Sequence, residues 1–238
     1  MALVVAISGA TCTGKTTIAK SMAKIFGSFS NIQVKHINQD TFYWPDESAN
    51  HVKVPGTDWV NWEVASSVDN SSIITEIEGF AQSGAQASTD PNAEGTTPRE
   101  VLDHVKGLNT KTIDQLASDL HSFCAGKVLE NSVGRIVFLE GILLFNHRGI
   151  YDRSDLRFFI NLTEETCRQR RSLRHYDPPD PPAYFDRVVW PHYVSNLEEI
   201  QDKPGIAYLS GEDSLETNAL KIVSRILQEV CSSTKQLS

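Results

Sequence analysis

Short apolar runs alternate with longer segments whose apolar residues recur at helical spacing, and this alternation predicts an α/β fold. The apolar runs have the length and composition of buried strands. They cover residues 3–7, 32–37, 135–139, 157–162 and 206–209. Amphipathic helices are predicted over residues 17–26, 68–83, 113–123 and 215–230. Strands that alternate with helices indicate a parallel sheet flanked by helices.

A glycine-flanked loop joins the first predicted strand to the first predicted helix. Residues 9–16 fit G-x-x-x-x-G-K-[ST], a loop that binds the phosphates of ATP or GTP. Glycines at its two ends permit a backbone path along which successive N–H groups point at one anion. Lys15 is predicted to reach the outer phosphates, and the Thr16 hydroxyl to bind Mg²⁺. The predicted nucleotide-binding loop residues are Gly9, Ala10, Thr11, Cys12, Thr13, Gly14, Lys15, Thr16 and Thr17.

Two acidic residues stand at the ends of predicted strands. Asp40 lies just past the second strand, and Glu140 directly follows the apolar run that begins at Arg135. Because ligands of open α/β sheets bind at the carboxyl ends of the strands, Asp40 is a candidate for the chemistry. Glu140 is a candidate for a position near the metal through water. Each residue could instead cap a turn; position alone leaves Asp40 open, whereas the abrupt change from apolar strand to acid favours the metal role for Glu140.

Four arginines fall within seven positions after the fourth predicted strand. Thr163 is predicted to cap their helix, and Arg170 and Arg174, four residues apart, are predicted to share a face while Arg171 points elsewhere. The alternatives are a solvated basic face and a clamp on a transferred phosphoryl group. The clamp is favoured because the proline-rich segment that follows is typical of a closing lid, which we place at residues 172–187.

Composition narrows the function classes. The chain has 238 residues and a net charge of −8, so that no global basic field is present to attract nucleic acid or an anionic membrane. Its four scattered cysteines favour a reducing compartment, and we expect a cytoplasmic location with a nuclear one not excluded. No signal peptide, membrane span or obligate protein partner is evident. We expect a single domain over residues 1–238, in which the small, polar residues 84–109 form a mobile insertion.

Three classes of function compete for a chain with this loop: a small-molecule kinase, a GTPase and a non-catalytic nucleotide-binding switch module. The usual guanine-reading motifs N-K-x-D and T-K-x-D are not found, which argues against a GTPase. A module without transfer chemistry does not account for the acids, the arginine helix and the lid together. A kinase accounts for each, because phosphoryl transfer needs a metal, charge neutralisation and a residue that orients the acceptor.

Several blocks of the sequence resemble the nicotinamide riboside kinases of the fungal type, within the uridine kinase-like phosphate-loop nucleoside kinases. The blocks are residues 4–17, 38–43, 139–146, 170–180, 184–186 and 189–191. The loop is common to many enzymes, whereas the blocks from Arg170 to Pro191 are far more specific. The resemblance implies a phosphate-loop kinase fold with an arginine-bearing lid. It also implies transfer of a phosphoryl group from ATP, with Mg²⁺, to the 5′-hydroxyl of nicotinamide riboside, giving nicotinamide mononucleotide for NAD synthesis.

The resemblance also implies individual roles. Asp40 would accept the hydroxyl proton and help hold Mg²⁺, which Thr16 would bind directly and Glu140 through water. The implied catalytic residues are Asp40, Lys15, Arg170 and Arg174, and the two arginines would also contact ATP. Arg171 would hold the ribose hydroxyls, and Tyr176 would stack on the pyridine ring. The implied substrate-binding residues are Asp40, Thr41, Phe42, Tyr43, Trp62, Glu63, Arg171, Tyr176 and Asp177.

The sequence leaves some points of specificity open. The family's aromatic-acid pair ends in Asp, whereas here Trp62 is followed by Glu63, and the nearby Asp58 and Trp59 are an alternative pair. A cationic pyridinium ring gains from flanking aromatic faces, which suits nicotinamide riboside. Nicotinate riboside is expected to fit as well. A uridine or cytidine kinase is the second candidate, and the choice between ATP and GTP stays open.

Overall fold

Five parallel strands with helices on both faces form the framework of the protein. The computed structural model describes residues 2–27, 32–83, 134–176 and 179–235, with the backbone alone for residues 230–235. The predicted insertion over residues 84–109 and the predicted helix over residues 113–123 lie outside the described residues. The predicted parallel sheet flanked by helices is confirmed, and the arginine-bearing lid stays a prediction.

The strands are short and the helices vary in length. In chain order the elements are β1 (Leu3–Gly9), α1 (Lys15–Gly27), β2 (Gln33–Asn38), α2 (Asn70–Gln82), β3 (Arg135–Glu140), α3 (Arg148–Arg153), β4 (Leu156–Asn161), α4 (Glu164–Ser172), α5 (Trp190–Ile200), β5 (Ile206–Ser210) and α6 (Leu215–Lys235). Single 3₁₀ turns occupy Gln39–Phe42, Ala65–Ser67 and Leu144–Asn146, and one π-helical turn occupies Phe185–Val189. None of the helices in the described ranges is long and apolar enough to cross a membrane.

The strand order, β2-β3-β1-β4-β5, places the phosphate loop at the centre of the sheet. β1 pairs with β3 on one side and with β4 on the other, so the chain leaves the sheet between two strands that run in the same direction. In the register of these pairs Ile7 lies opposite Glu140, and Gly9 lies opposite Ile160. This is the point in open α/β sheets at which a crevice opens for ligands.

Successive residues of β1 face opposite sides of the sheet, and each side carries its own apolar core. Val5 and Ile7 face α1 and α6, whereas Val4 and Ala6 face α2, α3 and α5. The first core includes Ile18, Met22, Phe26, Phe138, Phe158, Ile222 and Ile226. The second includes Ile73, Ile77, Leu139, Phe145, Ile150, Phe159 and Ile200. Burial on both faces explains why the strand sequences are continuously apolar.

Most predicted elements exist, within a few residues of their predicted ends. The predicted cap at Thr163 is confirmed as well, because its hydroxyl accepts a hydrogen bond from the Thr166 N–H at 3.3 Å. The Ser214 hydroxyl caps α6 in the same way and accepts from the Thr217 N–H at 3.1 Å. The sequence reading did not identify α3 and α5. α3 has only six residues, and α5 follows a proline-rich stretch and carries Pro191 in its first turn, where proline is tolerated.

Candidate functional site

The loop between β1 and α1 has the backbone geometry of an anion cradle. Gly9 and Gly14 have φ of +142° and +88°, and Cys12 also adopts a positive φ of +62°. A Cβ on Gly9 would collide with the backbone of Ile160 in the neighbouring strand. The Thr13 hydroxyl closes the loop by donating to the Ala10 carbonyl at 3.0 Å. Glycine at position 9 is therefore required both by conformation and by space.

Lys15 lies at the first turn of α1 with its side chain folded into the loop. Its Nζ donates to the Ala10 carbonyl oxygen at 2.6 Å, and the residue is buried. Burial lowers the pKa of the Lys15 ammonium, an effect that the negative charges of Glu140 and Asp40 oppose. The lysine therefore stands between the loop and the two acids that the sequence singled out.

Glu140 ends β3 almost completely buried. Its Oε2 accepts a hydrogen bond from the Thr16 hydroxyl at 3.0 Å. Its Oε1 has no hydrogen-bond partner, and His36 Nε2 lies 3.8 Å away, beyond hydrogen-bond distance. Burial raises the pKa of Glu140, while Lys15 lowers it. The carboxylate thus contacts the phosphate loop and keeps one oxygen available for a further ligand.

The oxygen atoms at this edge suit Mg²⁺, which prefers hydroxyl, carboxylate and phosphate oxygens. The orphaned Oε1 of Glu140 and the adjacent Thr16 hydroxyl satisfy that preference. Within the described ranges no cluster of three or more His, Cys, Asp or Glu residues is arranged to hold a metal. A site of this kind would therefore need phosphate oxygens to complete its ligands, as Mg²⁺ sites in phosphate-loop proteins do.

Asp40 lies in the 3₁₀ turn that follows β2, with its side chain exposed. The Asn38 Oδ1 accepts from the Asp40 backbone N–H at 2.9 Å, so that Asn38 caps this turn and leaves the Asp40 carboxylate free of that task. The charge of Asp40 acts on Lys15, Glu63 and Glu140, which places the carboxylate on the side of the phosphate loop.

Gln39 is the first residue of this turn, and the sequence alone indicated no role for it. Its side chain is fully buried and its Oε1 accepts from the Leu143 N–H at 3.1 Å. A Cβ on Gly141 would lie 2.5 Å from the Gln39 Cβ, so that a glycine is needed after Glu140. Gln39 thereby connects the ends of β2 and β3. Only the pairing of β2 with β3 reveals this contact, because the two residues are a hundred positions apart.

One face of α4 contacts the phosphate loop. The Cys167 thiol donates to the Thr11 carbonyl at 3.5 Å, Arg170 Nη1 donates to the Cys12 carbonyl at 3.4 Å, and Arg171 Nη1 donates to the Thr11 hydroxyl at 3.4 Å. Residues three and four positions apart share a helical face, so Arg170 and Arg171 lie on the same face of α4 as Cys167 and reach the same loop.

The predicted arrangement of the arginines is wrong in two respects. Arg171 was expected to point away from Arg170, yet both reach the phosphate loop. The Arg170 side chain bonds to Cys12, and the Arg171 side chain bonds to Thr11. Arg174 was expected on the same helical face as Arg170, but α4 ends at Ser172 and Arg174 follows it in the turn. The chain leaves the helix in a tight turn there, in which the Arg174 N–H donates to the Arg171 carbonyl at 3.0 Å. Arg174 nevertheless remains close enough to Lys15 to lower its pKa.

Arg168 fits the alternative of a solvated structural arginine. Its guanidinium pairs with Glu164 and with Asp186, both at 2.6 Å, and lies 4.4 Å from the centre of the Phe185 ring. These partners lie on α4 and on the π-helical turn, outside the phosphate loop. Arg168 therefore fastens the segment after the prolines to the helix.

Arg171 is held from two further sides. Asp180 binds it bidentately, with Nε to Oδ2 at 2.8 Å and Nη2 to Oδ1 at 3.1 Å. The guanidinium carbon lies 4.5 Å from the centre of the Tyr176 ring. Arg171, Tyr176 and Asp180 line an open cavity of about 310 Å³ between α4 and the segment after it. Asp177 lies outside the described residues.

The two aromatic-acid pairs differ in their surroundings. Glu63 is buried, and Arg171 and Lys15 act on it electrostatically. Burial raises the pKa of Glu63 to about 7, although Arg171 and Lys15 lower it. Asp58 is fully exposed and pairs with Lys53 at 3.4 Å. Glu63 therefore faces the same site as Lys15 and Arg171, and Asp58 faces solvent.

The tryptophans of the two pairs have different aromatic partners. Trp62 packs edge-to-face against Tyr43 and His51, with ring centres 5.5 and 4.5 Å apart. Trp59 packs against Tyr184 and lies under Arg187, in a small apolar cluster beneath the segment after the prolines. Trp62 also packs against this cluster, so packing against apolar groups does not by itself distinguish the two tryptophans.

The remaining predicted substrate residues are on the turn after β2. Thr41 is exposed, and its hydroxyl donates to the Asn38 carbonyl at 2.9 Å. Phe42 packs against the second apolar core. The Tyr43 hydroxyl donates to the Trp62 carbonyl at 3.1 Å, which ties the turn to the loop that carries Glu63. The two segments therefore form one wall of the site.

Known proteins resemble this chain over most of its length. Human nicotinamide riboside kinase 1 is 27% identical over 230 residues, which cover 95% of this chain and 93% of that protein. The nicotinamide riboside kinase of Saccharomyces cerevisiae is 28% identical over 213 residues, or 83% of this chain and 78% of its own. A uridine kinase from Chlamydia pneumoniae is 23% identical over 205 residues, or 84% and 75%. No protein-family model matches the chain. The resemblance to nicotinamide riboside kinases is confirmed.

Replacing Glu140 by Gln tests whether this buried carboxylate serves a metal. We expect Glu140→Gln to keep or raise the thermal unfolding midpoint of the metal-free protein, because a buried charge is removed without loss of volume. The further rise in midpoint on adding ATP with Mg²⁺ should shrink strongly. Differential scanning calorimetry measures both, with exposed Glu165→Gln as the control. An unchanged response to Mg²⁺ in Glu140→Gln would contradict the metal role.

The raised pKa of Glu63, about 7, predicts a dependence of stability on pH. An acid whose pKa is higher in the folded state binds more protons there, so the free energy of unfolding falls as pH rises from the unfolded value near 4.5 to about 7. Between pH 5 and pH 8 we expect the wild type to lose on the order of 3 kcal/mol more than Glu63→Gln. Urea unfolding measures the difference, with exposed Glu47→Gln as the control. Parallel pH profiles for the wild type and Glu63→Gln would show that Glu63 is not desolvated.

Proposed function

We propose that the protein transfers the terminal phosphoryl group of ATP to the 5′-hydroxyl of nicotinamide riboside, giving nicotinamide mononucleotide for NAD synthesis. One observation carries the proposal: a phosphate loop, two carboxylates and an arginine helix converge at one sheet edge, in a chain that is similar over 95% of its length to a human nicotinamide riboside kinase. The enzyme is thus a kinase with an alcohol acceptor. Its free thiols, Cys12 and Cys167, suit a reducing cytoplasm.

The donor side uses the loop and the arginines. The loop N–H groups and Lys15 would bind the phosphates, with Arg170 and Arg174 neutralising charge that develops during transfer. Arg170 now donates to a loop carbonyl 3.4 Å away, a weak contact that a phosphate oxygen can replace. Thr16, Asp40 and Glu140 would hold Mg²⁺, which neutralises the phosphate oxygens when it is bound.

The acceptor side uses the wall opposite the loop. Asp40 is exposed on the phosphate-loop side and has no capping task, so its carboxylate can accept the proton of the 5′-hydroxyl. Arg171 and Glu63 can bind ribose hydroxyls as donor and acceptor respectively. Tyr176 and Trp62 supply aromatic faces for the cationic pyridinium ring. Thr41, Phe42, Tyr43 and Asp177 complete the proposed substrate-binding set.

We assign the acceptor pair to Trp62 and Glu63 because only this acid is buried beside Arg171 and Lys15. Asp58 is exposed and pairs with Lys53. Both tryptophans pack against the same apolar cluster, so the assignment rests on the acids. The family that this chain resembles has Asp at this place. Glu63 is longer by one methylene, and its side chain is buried. The same pocket should accept nicotinate riboside, since it has the same ribose and a ring of the same size for the aromatic faces.

The proline-rich segment over residues 172–187 is proposed as a lid. Two of its acids contact arginines of α4: Asp180 pairs with Arg171, and Asp186 pairs with Arg168. A segment fastened to the helix that binds phosphate can close with it and exclude water during transfer. Exclusion of water is what separates a kinase from an ATPase.

An acceptor panel tests the proposal directly. Purified protein with ATP and Mg²⁺ is assayed over nicotinamide riboside, nicotinate riboside, uridine and cytidine by following mononucleotide formation. We expect kcat/KM to be highest for the two pyridine ribosides. Preference for uridine or cytidine would instead support the second candidate, a pyrimidine nucleoside kinase, which the similarity to a uridine kinase favours. ATP hydrolysis without any phosphorylated nucleoside would contradict both.

Matched tryptophan variants test the assignment of the acceptor pair. Trp62→Ala should raise the KM for nicotinamide riboside by about tenfold, the loss of one cation–π face, with the KM for ATP nearly unchanged. Trp59→Ala should lower the thermal unfolding midpoint but change the riboside KM by less than about twofold, within the effect of a structural substitution. Steady-state kinetics and thermal unfolding of both variants give the comparison. The reverse pattern would assign the pair to Asp58 and Trp59.

A further inference from the structure

The guanidinium of Arg171 is fixed by three contacts that leave part of it free. Asp180 takes the edge formed by Nε and Nη2, at 2.8 and 3.1 Å. The Thr11 hydroxyl takes one N–H of Nη1 at 3.4 Å. One face of the plane is covered by the Tyr176 ring at 4.5 Å. Arginine has five N–H donors, so one on Nη1 and one on Nη2 have no partner within the described ranges.

Both remaining donors are on the terminal nitrogens of the guanidinium, Nη1 and Nη2. Two parallel N–H groups match a pair of neighbouring hydroxyl oxygens, such as the 2′- and 3′-hydroxyls of a ribose. Glu63 is close enough to feel the charge of Arg171, and its carboxylate can accept the protons of the same hydroxyls. A ribose placed between them would be bound by donors from one side and an acceptor from the other.

We propose that Asp180 is a positioning residue, which orients Arg171 so that its two outer N–H groups bind the ribose hydroxyls of the acceptor; this inference rests on the proposed function. Without Asp180 the guanidinium could rotate about its last bonds and present a different edge. Arg171 is almost buried, with 11% of its side chain exposed, so that the pair is shielded more than a surface ion pair. A bidentate pair also fixes the plane of the guanidinium, which a single contact does not.

The chain provides a matched control for this pair. Asp186 belongs to the same proline-rich segment and also contacts an arginine of α4. Its partner Arg168 is exposed, and the ion pairs of Arg168 are with Glu164 and Asp186, outside the phosphate loop. Asp180→Asn and Asp186→Asn each remove one negative charge and one contact to α4. A general loosening of the segment would therefore affect both variants alike, whereas loss of Arg171 orientation affects only the first.

The test is steady-state kinetics of Asp180→Asn, Asp180→Glu, Asp186→Asn, Arg171→Lys and the double variant Arg171→Lys with Asp180→Asn. We expect Asp180→Asn to raise the KM for nicotinamide riboside about tenfold, the effect of losing a charge-assisted contact, with kcat and the KM for ATP changed less than about twofold. Asp180→Glu should restore part of the loss, and Asp186→Asn, which loosens the same segment without touching Arg171, should raise the riboside KM far less than Asp180→Asn does. The double variant should be no worse than Arg171→Lys alone, since Asp180 acts through Arg171.

A second readout separates orientation from structure. With 2′-deoxynicotinamide riboside as acceptor, the penalty of Asp180→Asn should be smaller than with the riboside, because one of the two oriented contacts is already missing. An unchanged or lowered riboside KM in Asp180→Asn, an equal penalty on the deoxy acceptor, or a double variant whose penalties add would each overturn the proposal. Should Asp180→Asn fail to fold, Asp180→Glu carries the same comparison with the two acceptors.

Failure of the proposed function would be visible first, in the wild type. If the wild type phosphorylates uridine or cytidine in preference to nicotinamide riboside, the proposed function fails. The same variants are then measured with uridine and 2′-deoxyuridine, because the ribose contact does not depend on the base. The positioning role of Asp180 is thus supported or overturned independently.

Discussion

The site depends on the contact between the phosphate loop and the first two turns of α4. Three donors of that helix reach the backbone or hydroxyl groups of Thr11 and Cys12. Because β1 and β4 are neighbours in the sheet, the loop that follows one and the helix that follows the other are forced together. The basic helix α4 thus contacts the phosphate loop through uncharged groups of Thr11 and Cys12. Arginines that would repel each other elsewhere are acceptable here because the common ligand is a polyanion.

The acids at the same edge are retained against a cost in stability. Glu63 and Glu140 are both buried, and burial raises the pKa of each. A fold selected only for stability would place apolar or amide groups there. Lys15 offsets part of the penalty, since it lies close to both carboxylates, and in turn its own ammonium is desolvated. The charges are therefore mutually dependent, and a metal with bound phosphates would complete their neutralisation.

Much of this arrangement could be predicted from the sequence because local patterns encode it. The apolar runs, the glycine positions of the loop and the Thr163 cap each depend on a few consecutive residues, and the structure has all three. The role of Gln39 was not predictable, because it depends on a contact with a distant segment. The pairing of Asp180 with Arg171, nine residues earlier, depends on how the chain turns after α4. The exposure of Asp58 and the burial of Glu63, five residues apart, likewise follow from packing and not from pattern.

The central claim is that these groups serve the transfer of one phosphoryl group to a sugar hydroxyl. The most direct measurement is a crystal structure with Mg²⁺, a non-hydrolysable ATP analogue and nicotinamide riboside bound together. The account predicts that an Asp40 carboxylate oxygen lies within about 2.6–3.2 Å of the ribose 5′-oxygen, with Arg170 turned from the Cys12 carbonyl to a phosphate. A complex in which Asp40 faces bulk water, while Arg170 and Arg171 stay clear of both ligands, would contradict it.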